Sequence, residues 1–128
     1  MKRILIVDDI KGWRDYHSQH MMKIFDYDCE ITTADSAREG YDKVLENNDK
    51  PFDLIITDLQ MEEDFEPKYA GEWFIEQIKT LTNYYKAQIV IISATYNINV
   101  IAERFGVSYI RKSTARSLPE IYAETIKK

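Results

Sequence analysis

Three continuous apolar runs punctuate the chain: Ile4–Val7, Phe52–Thr57 (FDLIIT) and Gln88–Ser93 (QIVIIS). Unbroken hydrophobicity, rather than strict alternation, suits strands buried on both faces. Glu30–Ala34 and Val107–Arg111 are weaker strand candidates. Between these runs, apolar residues return at helical spacing. Trp13, Tyr16, His20, Met21 and Ile24 form one stripe, and Trp73, Phe74, Ile78 and Leu81 another. Ser36-Ala-Arg-Glu39 is a capping box and predicts a helix through Tyr41, Val44 and Leu45. Ile98, Ile101, Ala102 and Phe105 predict a shorter helix that Gly106 stops. Ser117-Leu-Pro-Glu120 reads as the cap of a last helix, with Leu118, Ile121, Tyr122, Thr125 and Ile126 on one face.

A strand followed by a helix, repeated five times, is the pattern of an α/β fold. Parallel strands need crossover connections, and those crossovers are right-handed. The expected architecture is a doubly wound, five-stranded parallel sheet with helices on both faces. Ligands of such sheets bind beyond the carboxyl ends of the strands. The chemistry is therefore sought there.

With 128 residues, the chain is long enough for one domain with a full core. An apolar content of 45% and a charged content of 30% are ordinary for a globular protein. The net charge of −5 argues against direct nucleic-acid binding, which calls for a basic patch. The one cysteine, Cys29, has no partner for an internal disulfide. It reads as a strand-start residue without chemistry. Lys2 and Arg3 ahead of an apolar run resemble a signal peptide, but the run is short and ends in aspartates. No apolar stretch is long enough to span a membrane. A cytoplasmic location is expected.

The first strand ends in Asp8-Asp9, the third in Asp58, the fourth in Ser93 and the fifth in Lys112. At about 4 Å, like charges near a protein surface repel by roughly 4 kcal/mol. Three converging carboxylates therefore call for a cation. The sequence offers oxygen ligands at these strand ends, which selects a hard ion such as Mg²⁺. A hydroxyl and an ammonium add stabilisation for phosphoryl oxygens. One carboxylate is then free to act as a nucleophile.

Taken in order, ILIVDD, DLIITDLQM, IISA and YIRK resemble the receiver domain of a bacterial two-component response regulator, CheY-like in type. The resemblance covers residues 1–128. It implies the flavodoxin-like strand order 2-1-3-4-5. By position it makes Asp58 the phosphoacceptor, which attacks a phosphohistidine on a sensor histidine kinase or phosphotransfer protein. Asp9 matches the direct Mg²⁺ ligand, Asp8 a ligand through water, and the Gln60 backbone carbonyl the third protein ligand. Ser93 matches the hydroxyl that bonds the phosphoryl group. Lys112 matches the ammonium that pairs with Asp58, in preference to Arg111 on the opposite strand face. Tyr109 matches an aromatic that rotates inward when Ser93 moves, reshaping the face of the fourth helix, fifth strand and fifth helix. The implied activity is self-catalysed phosphotransfer and autodephosphorylation, with no external product. A monomer or a phosphorylation-linked dimer is expected. The output comes from an unknown partner or from a domain outside this chain.

Two features depart from the family pattern. Ser113 stands where a cis-proline usually follows the lysine. A cis bond without proline costs about 3 kcal/mol, so a trans peptide is expected. Glu62 stands where the family usually has proline, and Glu62–Tyr69 (EEDFEPKY) reads as an insertion with four acids near Asp58. These acids favour Mg²⁺ and oppose an incoming phosphodonor. The competing readings belong to other classes. A phosphatase of the haloacid-dehalogenase type needs an Asp-x-Asp pair. Here Asp58 is followed by Leu59-Gln60, and Asp8 by Asp9-Ile10. A nucleotide or flavin binder needs a glycine-rich loop, and the four glycines are scattered. The runner-up is a non-phosphorylated pseudo-receiver that only binds a protein. The alternative for Asp8 and Asp9 is that they merely cap the first helix; His17 and His20 read as surface or packing residues.

Overall fold

A computed structural model describes residues 1–61 and 69–128. The elements run β1 (Lys2–Val7), α1 (Lys11–Ile24), β2 (Cys29–Ala34), α2 (Ala37–Glu46), β3 (Leu54–Thr57), α3 (Ala70–Lys79), a 3₁₀ turn (Thr82–Tyr84), β4 (Gln88–Ser93), α4 (Ile98–Phe105), β5 (Ser108–Arg111), α5 (Lys112–Ser117) and α6 (Ile121–Thr125). The sheet is parallel throughout, in the order β2-β1-β3-β4-β5. The order turns back between β1 and β3, so the crevice of a doubly wound sheet opens there.

Alternation along the central strands divides the core into two layers. Leu5, Val7, Ile55, Ile89 and Ile91 face α2, α3 and α4, where Val44, Phe74, Ile75 and Ile101 meet them. Ile4, Ile6, Leu54, Ile56, Val90 and Ile92 face the other side, against Met21 of α1, Ala115 of α5 and Tyr122 of α6. Full burial of one such side chain contributes roughly 1.5–3 kcal/mol. These two layers explain why the central runs read as continuous: every residue has an apolar partner on one face or the other.

Local signals act as their chemistry suggests. The Ser36 hydroxyl accepts the Glu39 N–H at 3.0 Å and so starts α2. Glu39 reaches back one residue further than a standard capping box, accepting the Asp35 N–H at 3.0 Å. Gly106 ends α4 at φ 68°, a left-handed conformation that suits glycine. Helix α1 ends differently, through Asp26 at φ 54° and Tyr27 at φ 62°.

The C-terminal region corrects one expectation. Ser117 does not cap a helix. It ends α5, which begins at Lys112 directly after β5. Helix α6 starts from Glu120, with no side-chain cap, and Leu118 is 51% exposed rather than on a buried face. Pro119 lacks an N–H and disfavours helical geometry in the residue before it, so the chain breaks there instead of continuing. Two smaller adjustments follow from packing. Phe52 is buried beneath the Arg3 guanidinium, ahead of β3, and Leu81 lies beyond α3. Of the expected insertion Glu62–Tyr69, residues 62–68 lie outside the described residues, and Tyr69 is the N-cap of α3.

Candidate functional site

Strand register sets the positions of the acids. Val7 pairs with Thr57, so Asp8 and Asp58 leave adjacent central strands at the same level. The Asp58 N–H donates to the Val7 carbonyl at 3.0 Å, and the Asp8 N–H donates to Ala34 at 3.1 Å. Ser93 pairs with Arg111, which brings Lys112 just beyond the end of β4. One carboxylate oxygen from each of Asp8, Asp9 and Asp58 falls within 4.8 Å of the others. A cavity of about 370 Å³ opens beside them, lined by Asp9, Ile10, Asp58, Gln60, Met61, Ala94 and Lys112.

Within this group the Lys112 ammonium bridges two acids. Its Nζ donates to Asp58 Oδ2 at 2.8 Å and lies 3.0 Å from Asp8 Oδ2. The second contact is an ion pair without good hydrogen-bond alignment. Asp58 Oδ1 accepts the Leu59 N–H at 2.7 Å and a longer bond of 3.4 Å from Gln60. The phosphoacceptor candidate is thus held on one side by backbone and on the other by an ammonium. Burial opposes the charge on Lys112, but the Asp58 and Asp8 carboxylates outweigh it and raise its pKa. Burial, followed by repulsion from Asp58, raises the pKa of Asp8, and the Ile10 N–H and Lys112 only partly offset this. Three carboxylates facing one ammonium form an all-oxygen, negative cluster, which fits a hard divalent cation.

The backbone of Asp58 is held from behind by α3. The Gly71 N–H donates to the Leu59 carbonyl at 3.0 Å. A Cβ at Gly71 would stand 2.1 Å from the Asp58 carbonyl oxygen and 2.6 Å from Leu59 Cα. Only glycine lets the helix start so close to this loop.

The remaining expected residues are placed differently. Gln60 lines the cavity and is exposed. Ser93 is fully buried, and its hydroxyl is shared with Thr95 Oγ1 at 2.9 Å while accepting the Thr95 N–H at 3.2 Å. Tyr109 is 40% exposed, away from the acids, with the Arg111 guanidinium 6.0 Å from its ring centre. Arg111 itself reaches the Tyr96 carbonyl at 3.3 Å, on the α4 side. Asp8 does not cap α1. Its Oδ1 accepts the Ile10 N–H at 2.9 Å, and Ile10 is the N-cap.

Sequence reasoning missed the residues behind the site. His17, read as a surface or packing residue, is a packing residue. It is 1% exposed, with Nε2 4.0 Å from Asp8 Oδ2 and Nδ1 2.5 Å from the Tyr122 hydroxyl. The carboxylate favours a proton on Nε2, which leaves Nδ1 to accept from Tyr122. Burial first, and the Lys112 charge second, lower the His17 pKa to about 3. Trp13, first of the helical stripe, packs against the core and also sits over Lys112, with the ammonium 5.1 Å from its ring centre. Thr95 had no signal beyond its position two residues after Ser93.

Paired acids and a lysine thus stand together at the carboxyl edge of a doubly wound parallel sheet. The sequence signature of the family described as "Response regulator receiver domain" matches residues 4–117. The chain belongs to this family, the receiver domains of two-component signalling. Its fold is similar to the chemotaxis response regulator CheY4 of Vibrio cholerae, with 22% identity, a TM-score of 0.74, and coverage of 98% of this chain and 99% of that one. It is also similar to the phosphorylated cyanobacterial phytochrome response regulator RcpA, with 21% identity, a TM-score of 0.76, and coverage of 96% and 89%. A CheY-like receiver domain protein from Methanospirillum hungatei JF-1 matches with 23% identity, a TM-score of 0.68, and coverage of 97% and 92%. At these identities the likeness shows the fold. Among curated proteins nothing matches the chain. Among the described residues, no helix is long and apolar enough to cross a membrane.

Proposed function

We propose that residues 1–128 form one receiver domain that acts as a phosphoaccepting switch in the cytoplasm. Asp58 takes a phosphoryl group from the phosphohistidine of a sensor histidine kinase or phosphotransfer protein. The P–N bond breaks with its electron pair going to the imidazole, and a P–O bond forms to the Asp58 carboxylate. The observation that carries this reading is the Lys112 ammonium bridging Asp58 and Asp8 at the edge of an acid-lined cavity.

Asp9, Asp58 and the Gln60 carbonyl would hold Mg²⁺, with Asp8 acting through water. A bound Mg²⁺ supplies positive charge against the phosphoryl oxygens. The protein's own residues do the rest. The Leu59 N–H holds Asp58 Oδ1, and Lys112 follows the charge that develops on the phosphoryl group. Ser93 would reach that group through an exchange of the hydroxyl contact it now shares with Thr95. That exchange is the local event that draws Tyr109 inward and reshapes the face of α4, β5 and α5. A monomer or a phosphorylation-linked dimer then presents that face to an output partner.

Intact mass after incubation with acetyl phosphate and Mg²⁺ tests the reading. One phosphoryl gain is expected, lost in Asp58→Asn and lost with chelator. No gain, from acetyl phosphate or from a competent kinase, would instead favour the protein-binding pseudo-receiver.

A further inference from the structure

We infer that Trp13 is a positioning residue for Lys112, holding its ammonium at the cavity rim where it meets a phosphoryl group on Asp58. The inference rests on the phosphoacceptor reading above. Lysine carries a point charge on a flexible four-carbon stem. The Asp58 and Asp8 carboxylates draw it inward but do not fix its approach. Its backbone adds little, because α5 has six residues and its N-cap, Arg111, makes no side-chain capping bond. Helices this short are marginal by themselves.

The Trp13 indole supplies the missing restraint. The Lys112 ammonium lies 5.1 Å from its ring centre, and the Arg116 guanidinium 4.9 Å. Both distances are within cation–π range, and tryptophan is the strongest partner for such contacts. Lys112 and Arg116 are one turn apart on α5, so a single ring from α1 engages that helix at two points. The ring is itself firmly mounted. Tyr16 meets it edge-on at 5.5 Å, and His17 lies tilted against it at 5.4 Å. The Tyr16 hydroxyl donates to the Ala115 carbonyl of α5 at 3.0 Å, and His17 is tied to Tyr122 of α6. Positioning Lys112 in advance removes rotamer entropy that phosphoryl transfer would otherwise cost.

The test compares rates of phosphoryl uptake from acetyl phosphate with Mg²⁺ for the wild type, Trp13→Leu, Trp13→Phe, Lys112→Ala and the Trp13→Leu/Lys112→Ala double variant. Trp13→Leu should be roughly 3- to 10-fold slower, with Trp13→Phe in between. The double variant should be no slower than Lys112→Ala, because Trp13 acts through the lysine. A Trp13→Leu rate equal to wild type overturns the inference, as does an equal slowing in the Lys112→Ala background. A wild type that takes no phosphoryl group sinks the phosphoacceptor reading instead. The hold on Lys112 is then decided by NMR of the Lys112 ε-methylene protons. An upfield ring-current shift, retained in Trp13→Phe and lost in Trp13→Leu, supports it. An unshifted wild-type resonance overturns it.

Discussion

His17 shows how one buried side chain gives the domain a pH dependence. Its folded pKa of about 3 lies below the ordinary value of 6.5. Between those values the unfolded chain binds the proton and the folded chain does not. Stability therefore rises with pH across this window and is lost as pH falls from about 6.5 toward 3. Between pH 7 and pH 5 the contribution is about 2 kcal/mol. Asp8 works in the opposite direction, since its raised pKa makes the folded state the better proton acceptor. The comparison that isolates His17 is urea unfolding of the wild type and His17→Gln at both pH values. The variant should lose about 2 kcal/mol less on acidification. Parallel losses would mean that His17 is not held neutral. None of this was legible at the residue level. The reason is separation: His17 meets Tyr122 across 105 positions, and a lone histidine on a helix carries no mark of the acid it faces.

At the scale of elements, legibility followed burial. β1, β3 and β4 have both faces covered, so their sequences run apolar without interruption. β2 and β5 lie at the edges with part-exposed residues, and their signals were correspondingly weak. The last helix misled because Ser117-Leu-Pro-Glu120 has capping chemistry, while Lys112 starts a helix with no capping signal at all. The end of α1 was equally silent. It turns through two consecutive left-handed residues, neither of them glycine. Asp26 tolerates this conformation, but Tyr27 has a Cβ that opposes it, at roughly 1–2 kcal/mol. Tyr27 is 67% exposed, so little packing is lost on truncation. Tyr27→Gly should therefore stabilise the domain by about 1 kcal/mol, after the entropy of the unfolded glycine is counted. Thermal or urea unfolding checks this, and a destabilised variant would show that the ring packs more than its exposure implies.

For the molecule as a whole, the balance of charge at the sheet edge sets stability against function. The site was legible here because its carboxylates and lysine all sit where strands end, and strand ends are visible in the apolar runs. Burial first, and the Asp58 carboxylate second, keep Asp8 reluctant to ionise, and Lys112 only partly offsets them. Removing that charge should raise the melting temperature of the metal-free domain. A ligand that binds only the folded state stabilises it by mass action, so Mg²⁺ should raise the melting temperature of the wild type. Asp8→Asn should melt higher than wild type in chelator and gain less from Mg²⁺. If Asp8→Asn melts lower in chelator, its pairing with Lys112 outweighs burial and repulsion.

The close approach of Gly71 to Leu59 has a consequence for how such domains diversify. The bond between them closes the chain on itself, with Gly71 inside α3 and Leu59 two residues beyond the end of β3. Any residues inserted between these two anchors start from ends that are already joined. The closure entropy of a flexible loop grows only logarithmically, with each doubling of length costing about 0.6 kcal/mol. Residues can therefore be added next to Asp58 without moving it. A lineage can rewrite the approach to Asp58, in charge or in length, while the position of Asp58 is inherited unchanged.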